Sequence, residues 1–237
     1  MYIGIYLATI LSILHFISGL FIRFTKKYQD KLLSVATGIL LAILFLELLP
    51  NFAKEALSTN YLMFFLPLMG FVAFHSIRTY NYRHIKTKKE LKSRFRKNHI
   101  LAFFIEHFIL GFTLTLTFKD PIISLLLFLP FILLTVSSSI LLDIIDKTSK
   151  KLNMRLLLGS STILGAFVGL IFTLDNLLYL GTFGYAIGAL FYIVIRDLIP
   201  AEEKKEKVLF FIAGLIITSI LLLIKGTIWK KQLLKSF

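Results

Sequence analysis

Apolar runs of about twenty residues alternate with short polar segments along the whole chain. Each run is long enough to cross a hydrocarbon layer as a helix, since about 20 residues at 1.5 Å each span the 30 Å core. The pattern predicts eight such helices: Tyr2–Ile22, Leu32–Phe52, Asn60–Tyr82, His99–Phe118, Pro121–Asp146, Met154–Thr173, Asn176–Ile199 and Lys207–Trp229. Pro50, Pro121 and Pro200 mark helix ends. Pro67 and Pro130 fall inside spans, where the missing backbone bond is tolerated only against protein or a cavity. The expected fold is all-α and integral to the membrane, one transmembrane domain over residues 1–237 with a basic loop at about 83–98.

Composition agrees with this. Apolar residues make up 57% of the chain and its mean hydropathy is +0.82, too high for a soluble domain. There is no cysteine, which excludes disulfides and thiolate metal sites. The first run, Met1 to Ile22, carries no Lys or Arg and is long enough to span, so it reads as a retained helix and not a signal peptide.

A net charge of +14 would point to nucleic acid in a soluble protein, but here the cations sit between apolar runs and no nucleic-acid partner is expected. Twenty-one of the 27 Lys and Arg fall on one side of the predicted layer, nine of them between Arg78 and Lys97. The basic side should be cytoplasmic. The expectation is a multi-pass protein of the cell membrane with both termini outside and the 83–98 loop inside.

Shifting the chain by 150 residues lays Val35–Pro50 on Tyr185–Pro200 without a gap, with Gly38 on Gly188, Glu47 on Asp197 and Pro50 on Pro200. Matching Leu and Ile residues is cheap in an apolar chain; a glycine, an acid and a proline in register are not. The charge count makes the second and seventh helices run in opposite directions. Helices one to three and six to eight then form inverted repeats around helices four and five, an arrangement by which transporters open one scaffold to either side.

Several stretches resemble the ZIP (Zrt/Irt-like) family of divalent-metal transporters. "GILLAILFLELLPNF" is similar to that family's second helix, "EHFILGFTL" to its fourth, "LGAFVGL" to its sixth and "FGYAIGALFYIVIRDLIPAEEK" to its seventh. The resemblance implies a 3+2+3 helical fold and a metal site between helices four and five.

At that site the chain departs from the family pattern. Anchored on Gly111, Glu106 takes the family's histidine position, His107 the next polar position and Leu110 the carboxylate position. Anchored on Pro130, the fifth helix offers Leu127, Phe128, Leu129 and Phe131, none of which ligates a metal. A two-metal centre therefore does not carry over, and Glu106 with His107 forms a reduced candidate core site. Adjacent helical residues point about 100° apart, so a third ligand from another helix is required.

Glu47 and Asp197, each one turn before a helix-ending proline, are candidate entrance and exit acids, weighed against plain interfacial solvation; Arg196 favours solvation for Asp197. His15 and His75 read as lone histidines bonded to a neighbour. Thr113 and Thr117, with Ser137, Ser138 and Ser139, are equally a narrow polar path or small packing residues. Asp143 and Lys147 read as a solvated helix end, and Asp175 as the cap of helix seven.

No phosphate-binding loop, HExxH run or nucleophile–base set occurs, so no enzyme and no cofactor is expected. The function expected is transport of a divalent cation of the zinc, iron or manganese class in a lipid bilayer, with a second copy of the chain as a possible partner in a homodimer. The alternatives are a ZIP-like scaffold that no longer transports, and a carrier of another small solute.

Overall fold

The computed structural model describes residues 3–17, 28–83, 88–117, 121–145, 152–172, 175–195 and 205–235. Apart from Tyr28, Asn60 and Asp175, every described residue is helical, and eight helices result. They are α1 (Ile3–Ile17), α2 (Gln29–Ile43, continuing through Leu44–Leu48 into Leu49–Thr59), α3 (Phe65–Arg83, after a 3-10 turn at Tyr61–Phe64) and α4 (Lys88–Leu116). Then come α5 (Pro121–Ile145), α6 (Leu152–Phe172), α7 (Asn176–Ile193) and α8 (Lys205–Lys235).

Among the described residues three stretches are long and apolar enough to cross a membrane, Asp30–Thr59, Asn176–Ile193 and Glu206–Gly226. Large apolar side chains stand exposed on α3 and α8, among them Leu68, Val72, Leu209, Ile217, Ile220 and Leu223. Water would penalise such a surface, and hydrocarbon would not. The chain is a membrane protein.

Local chemistry explains the boundaries. Asp175 caps α7, its carboxylate accepting from the Leu178 N–H at 2.8 Å, as its position before the apolar run predicts. Asn60 accepts from the Leu62 N–H at 2.9 Å and turns the chain between α2 and α3. Pro67 stands in the first turn of α3, where its missing N–H costs nothing, whereas Pro130 lies buried inside α5. The basic segment expected as a loop over 83–98 is helical from Lys88 onward and continuous with α4. Lys and Arg are polar but are good helix formers, so a drop in hydropathy does not end a helix.

Near its middle α2 widens into a π turn, Leu44–Leu48, where the Leu49 N–H bonds the Leu44 carbonyl five residues back. Pro50, expected as a helix end, instead lies within α2, which runs on to Thr59, and its ring crowds the carbonyl four residues earlier, a cause of such local widening. The same widening begins at Val194–Ile195, just past α7, 150 residues further on.

Two helix pairs run parallel. α2 lies along α8, with Asp30 and Lys31 bridging Lys207 and Glu206 at their starts and Glu47 bridging Lys225 further along. α3 lies along α7, with the ring of Phe71 and then that of His75 against Tyr192. Phe52, late in α2, packs on Phe64 before α3 and on Phe183 early in α7. α2 and α7 therefore point in opposite directions. The remaining helices, α1, α4, α5 and α6, pack on one another, and α5 also touches α2 as α4 touches α7.

The glycines at these contacts match. A Cβ on Gly38 would collide with the backbone of Phe211 and Leu215, and one on Gly188 with the backbone of Pro67 and Phe71. Gly214 rests on Val35, and Gly70 on Tyr185. Residues of α2 and α7 in these contacts differ by 150, and residues of α3 and α8 by 144. Tight backbone approach through small residues is how helices pack when lipid competes for the apolar surface.

Candidate functional site

The core candidates lie where α4 passes α1. His107 is fully buried and Glu106 half-buried, the divergence expected of neighbours on a helix. His15 of α1, also buried, meets His107 edge to face with ring centroids 4.7 Å apart. His15 is thus no lone histidine. Its helix carries the signal that would have marked it, because Ser12 lies three residues earlier on the same face. The Ser12 hydroxyl donates to the Gly159 carbonyl of α6 at 2.7 Å, tying that face of α1 into the bundle.

Leu110, at the position where the ZIP pattern has a carboxylate, is fully buried, as are Leu127 and Phe131 of α5. Gly111 presses against Thr162 of α6, and Gly165 of α6 against Phe108, which closes α4 onto α6. Among the described residues no three His, Asp or Glu side chains come together as a metal centre. The core thus brings two imidazoles together, with Glu106 their neighbour only through its place next to His107 in the chain, short of the four ligands of an ordinary zinc site.

Glu47 sits in the π turn of α2. Its Oε1 accepts from the Lys225 ammonium of α8 at 3.0 Å and from the Asn51 amide at 3.1 Å. Both charged side chains are only 16% exposed. At that burial the pair holds α2 to α8, and removing one partner of a buried ion pair costs about 3–5 kcal/mol. Solvation alone therefore does not account for Glu47. Lys225 escaped sequence reasoning because it counts there as one of the cations near the C-terminus. Asp197 and Arg196 lie outside the described residues, as does Lys147. Nothing is described of the side chains of Ser137, Ser138, Ser139 and Asp143.

One turn beyond Asn51 a cavity of about 250 Å³ opens, lined by Asn51, Lys54, Glu55, Thr117, Tyr179 and Phe183 among others. Thr117 also closes the α4–α5 connection. Its hydroxyl lies 3.0 Å from that of Ser124 and 3.1 Å from the Leu114 carbonyl. That contact makes Thr117 a structural tie as well as a wall of the cavity. His75 lies 3.4 Å from the Thr79 hydroxyl, the neighbour bond expected of it.

A scan against protein-family models finds no match, and neither does a search of curated proteins.

Proposed function

We propose that the chain is an eight-span carrier built from inverted repeats, with a ZIP-like 3+2+3 arrangement, moving divalent cations of the zinc, iron or manganese class. The observation that carries this reading is the matched glycine contact, Gly38 on α8 and Gly188 on α3, with constant offsets between partners. Two oppositely directed copies of one packing unit are the scaffold of alternating access. The cation class is supported by the side chains buried against that scaffold. An acid inside a membrane bundle marks an ion pathway by default, and here Glu106 sits beside the His15–His107 contact. In this reading Glu106 is the principal cation-attracting group of the core and His107 assists it. Glu47 and Asp197 serve as the carrier's entrance and exit acids. The basic side is cytoplasmic and both termini are outside.

A second reading has its own observation. Leu110 of α4 and Leu127 and Phe131 of α5 are fully buried in one apolar cluster, which favours a ZIP-like membrane scaffold that carries no metal. Uptake into proteoliposomes under an imposed gradient of Zn²⁺ or Mn²⁺ decides between them. The carrier reading expects uptake by the wild type, its loss in Glu106→Gln with folding intact, and a partial decrease in His107→Ala. A wild type that moves neither ion under any gradient supports the scaffold.

A further inference from the structure

Glu47, Asn51 and Glu55 follow one another at intervals of four residues along α2, one turn apart each time. Glu55 and Asn51 line the cavity, and Asn51 donates to Glu47. At about 30 Å³ per water, a cavity of about 250 Å³ has room for a small cation with its first water shell. Its polar lining includes the Glu55 carboxylate, the Asn51 amide and the hydroxyls of Thr117 and Tyr179, each already engaged with other groups, with Lys54 as the opposing charge. From this cavity the polar ladder leads inward to Glu47.

Glu47 already holds a cation. The Lys225 ammonium and the Asn51 amide both address Oε1, while Oε2 takes no hydrogen bond from the described residues. An ammonium on a flexible four-carbon stem is a mobile point charge, unlike the rigid fork of arginine. We propose that Glu47 is a cation-binding carboxylate and that Lys225 is its tethered competitor, so that a divalent cation arriving from the cavity must displace the Lys225 ammonium to bind. This rests on the divalent-cation reading above. Lys225 would then serve two states of the protein. It neutralises Glu47 when no ion is present, sparing the membrane an unpaired carboxylate, and it sets the threshold concentration at which the ion enters. Sequence spacing alone joins neither residue to the other, because 178 positions separate them.

The test is Mn²⁺-dependent thermal stabilisation of the full chain in detergent, which reads binding without transport. A ligand that binds only the folded state raises its melting temperature in proportion to the logarithm of its concentration over Kd. In Lys225→Met, which keeps the apolar stem and removes the charge, half-maximal stabilisation should fall to roughly one-tenth of the wild-type Mn²⁺ concentration, the size of effect that 1.4 kcal/mol of lost competition gives. Lys225→Arg, which keeps the positive charge, should show no such gain, and Glu47→Gln/Lys225→Met should lose it. An unchanged or weaker Mn²⁺ response in folded Lys225→Met would overturn the proposal and leave Lys225 as a tether between α2 and α8. If Lys225→Met does not fold, Glu47→Gln alone decides: loss of the stabilisation that high Mn²⁺ gives the wild type supports the proposal, and its persistence refutes it. A wild type that binds Mn²⁺ in this assay but does not transport it contradicts the carrier reading and leaves the Glu47 site standing.

Discussion

At the residue scale, the chemistry concentrates in a few polar side chains set against apolar packing. His15 and His107 are 92 positions apart in sequence, yet their ring centroids lie 4.7 Å apart and both are buried. A pair in such contact does not behave as two independent sites. In a double-mutant cycle with His15→Leu and His107→Leu, read as thermal stability in detergent, the coupling should be about 0.5–3 kcal/mol. Strict additivity would mean that the ring contact contributes nothing. Glu106 and His107 were legible from the sequence because a carboxylate and an imidazole interrupt an apolar run. His15 was legible only as an isolated polar residue. Lys225 was not legible at all, since hydropathy assigns it to the charged end of the chain and nothing local ties it to Glu47.

At the element scale, glycine and proline set the geometry. Gly38 and Gly188 hold equivalent places, each backed by the main chain of a parallel neighbour. Overpacking a tight contact costs typically 1–3 kcal/mol. Gly38→Leu and Gly188→Leu should each destabilise the protein by about that much or more, and by similar amounts, because each breaks the same kind of backbone contact. Gly226 is the control: a Cβ added there would meet nothing within 4 Å, and Gly226→Leu should leave the melting temperature unchanged. Damage confined to one of the first two variants would argue against equivalent contacts. Most helix ends could be read from Pro121, Asp175 and the apolar runs between them. The start of α4 could not, because a cationic helix and a cationic loop have the same hydropathy. The π turn was signalled only by Pro50, a residue that ends helices as often as it widens them.

At the scale of the whole molecule, the apolar surface, the eight helices and the opposed directions of α2 and α7 make one picture. The number of helices followed from the length of the apolar runs, and the equivalence of Gly38 and Gly188 from an alignment of sixteen residues. What the alignment could not give was which helix faces which. That came from backbone contacts of α3 and α8, whose repeat offset of 144 differs from the 150 of α2 and α7. A single shift of the sequence misses such a change of spacing.

The carrier reading requires α2 and α7 to cross the membrane in opposite senses as copies of one unit, and cysteine accessibility reads those senses directly. The chain has no native cysteine, so a single introduced one reports alone. Cysteines at Tyr28 and Ser58 bracket α2, and those at Asp175 and Glu206 bracket α7 and the connection that follows it. On intact cells a membrane-impermeant maleimide should label Ser58→Cys and Asp175→Cys. Tyr28→Cys and Glu206→Cys should react only after permeabilisation. Equal labelling of Tyr28→Cys and Ser58→Cys, or of Asp175→Cys and Glu206→Cys, would rule out the opposed crossing and with it the inverted repeat.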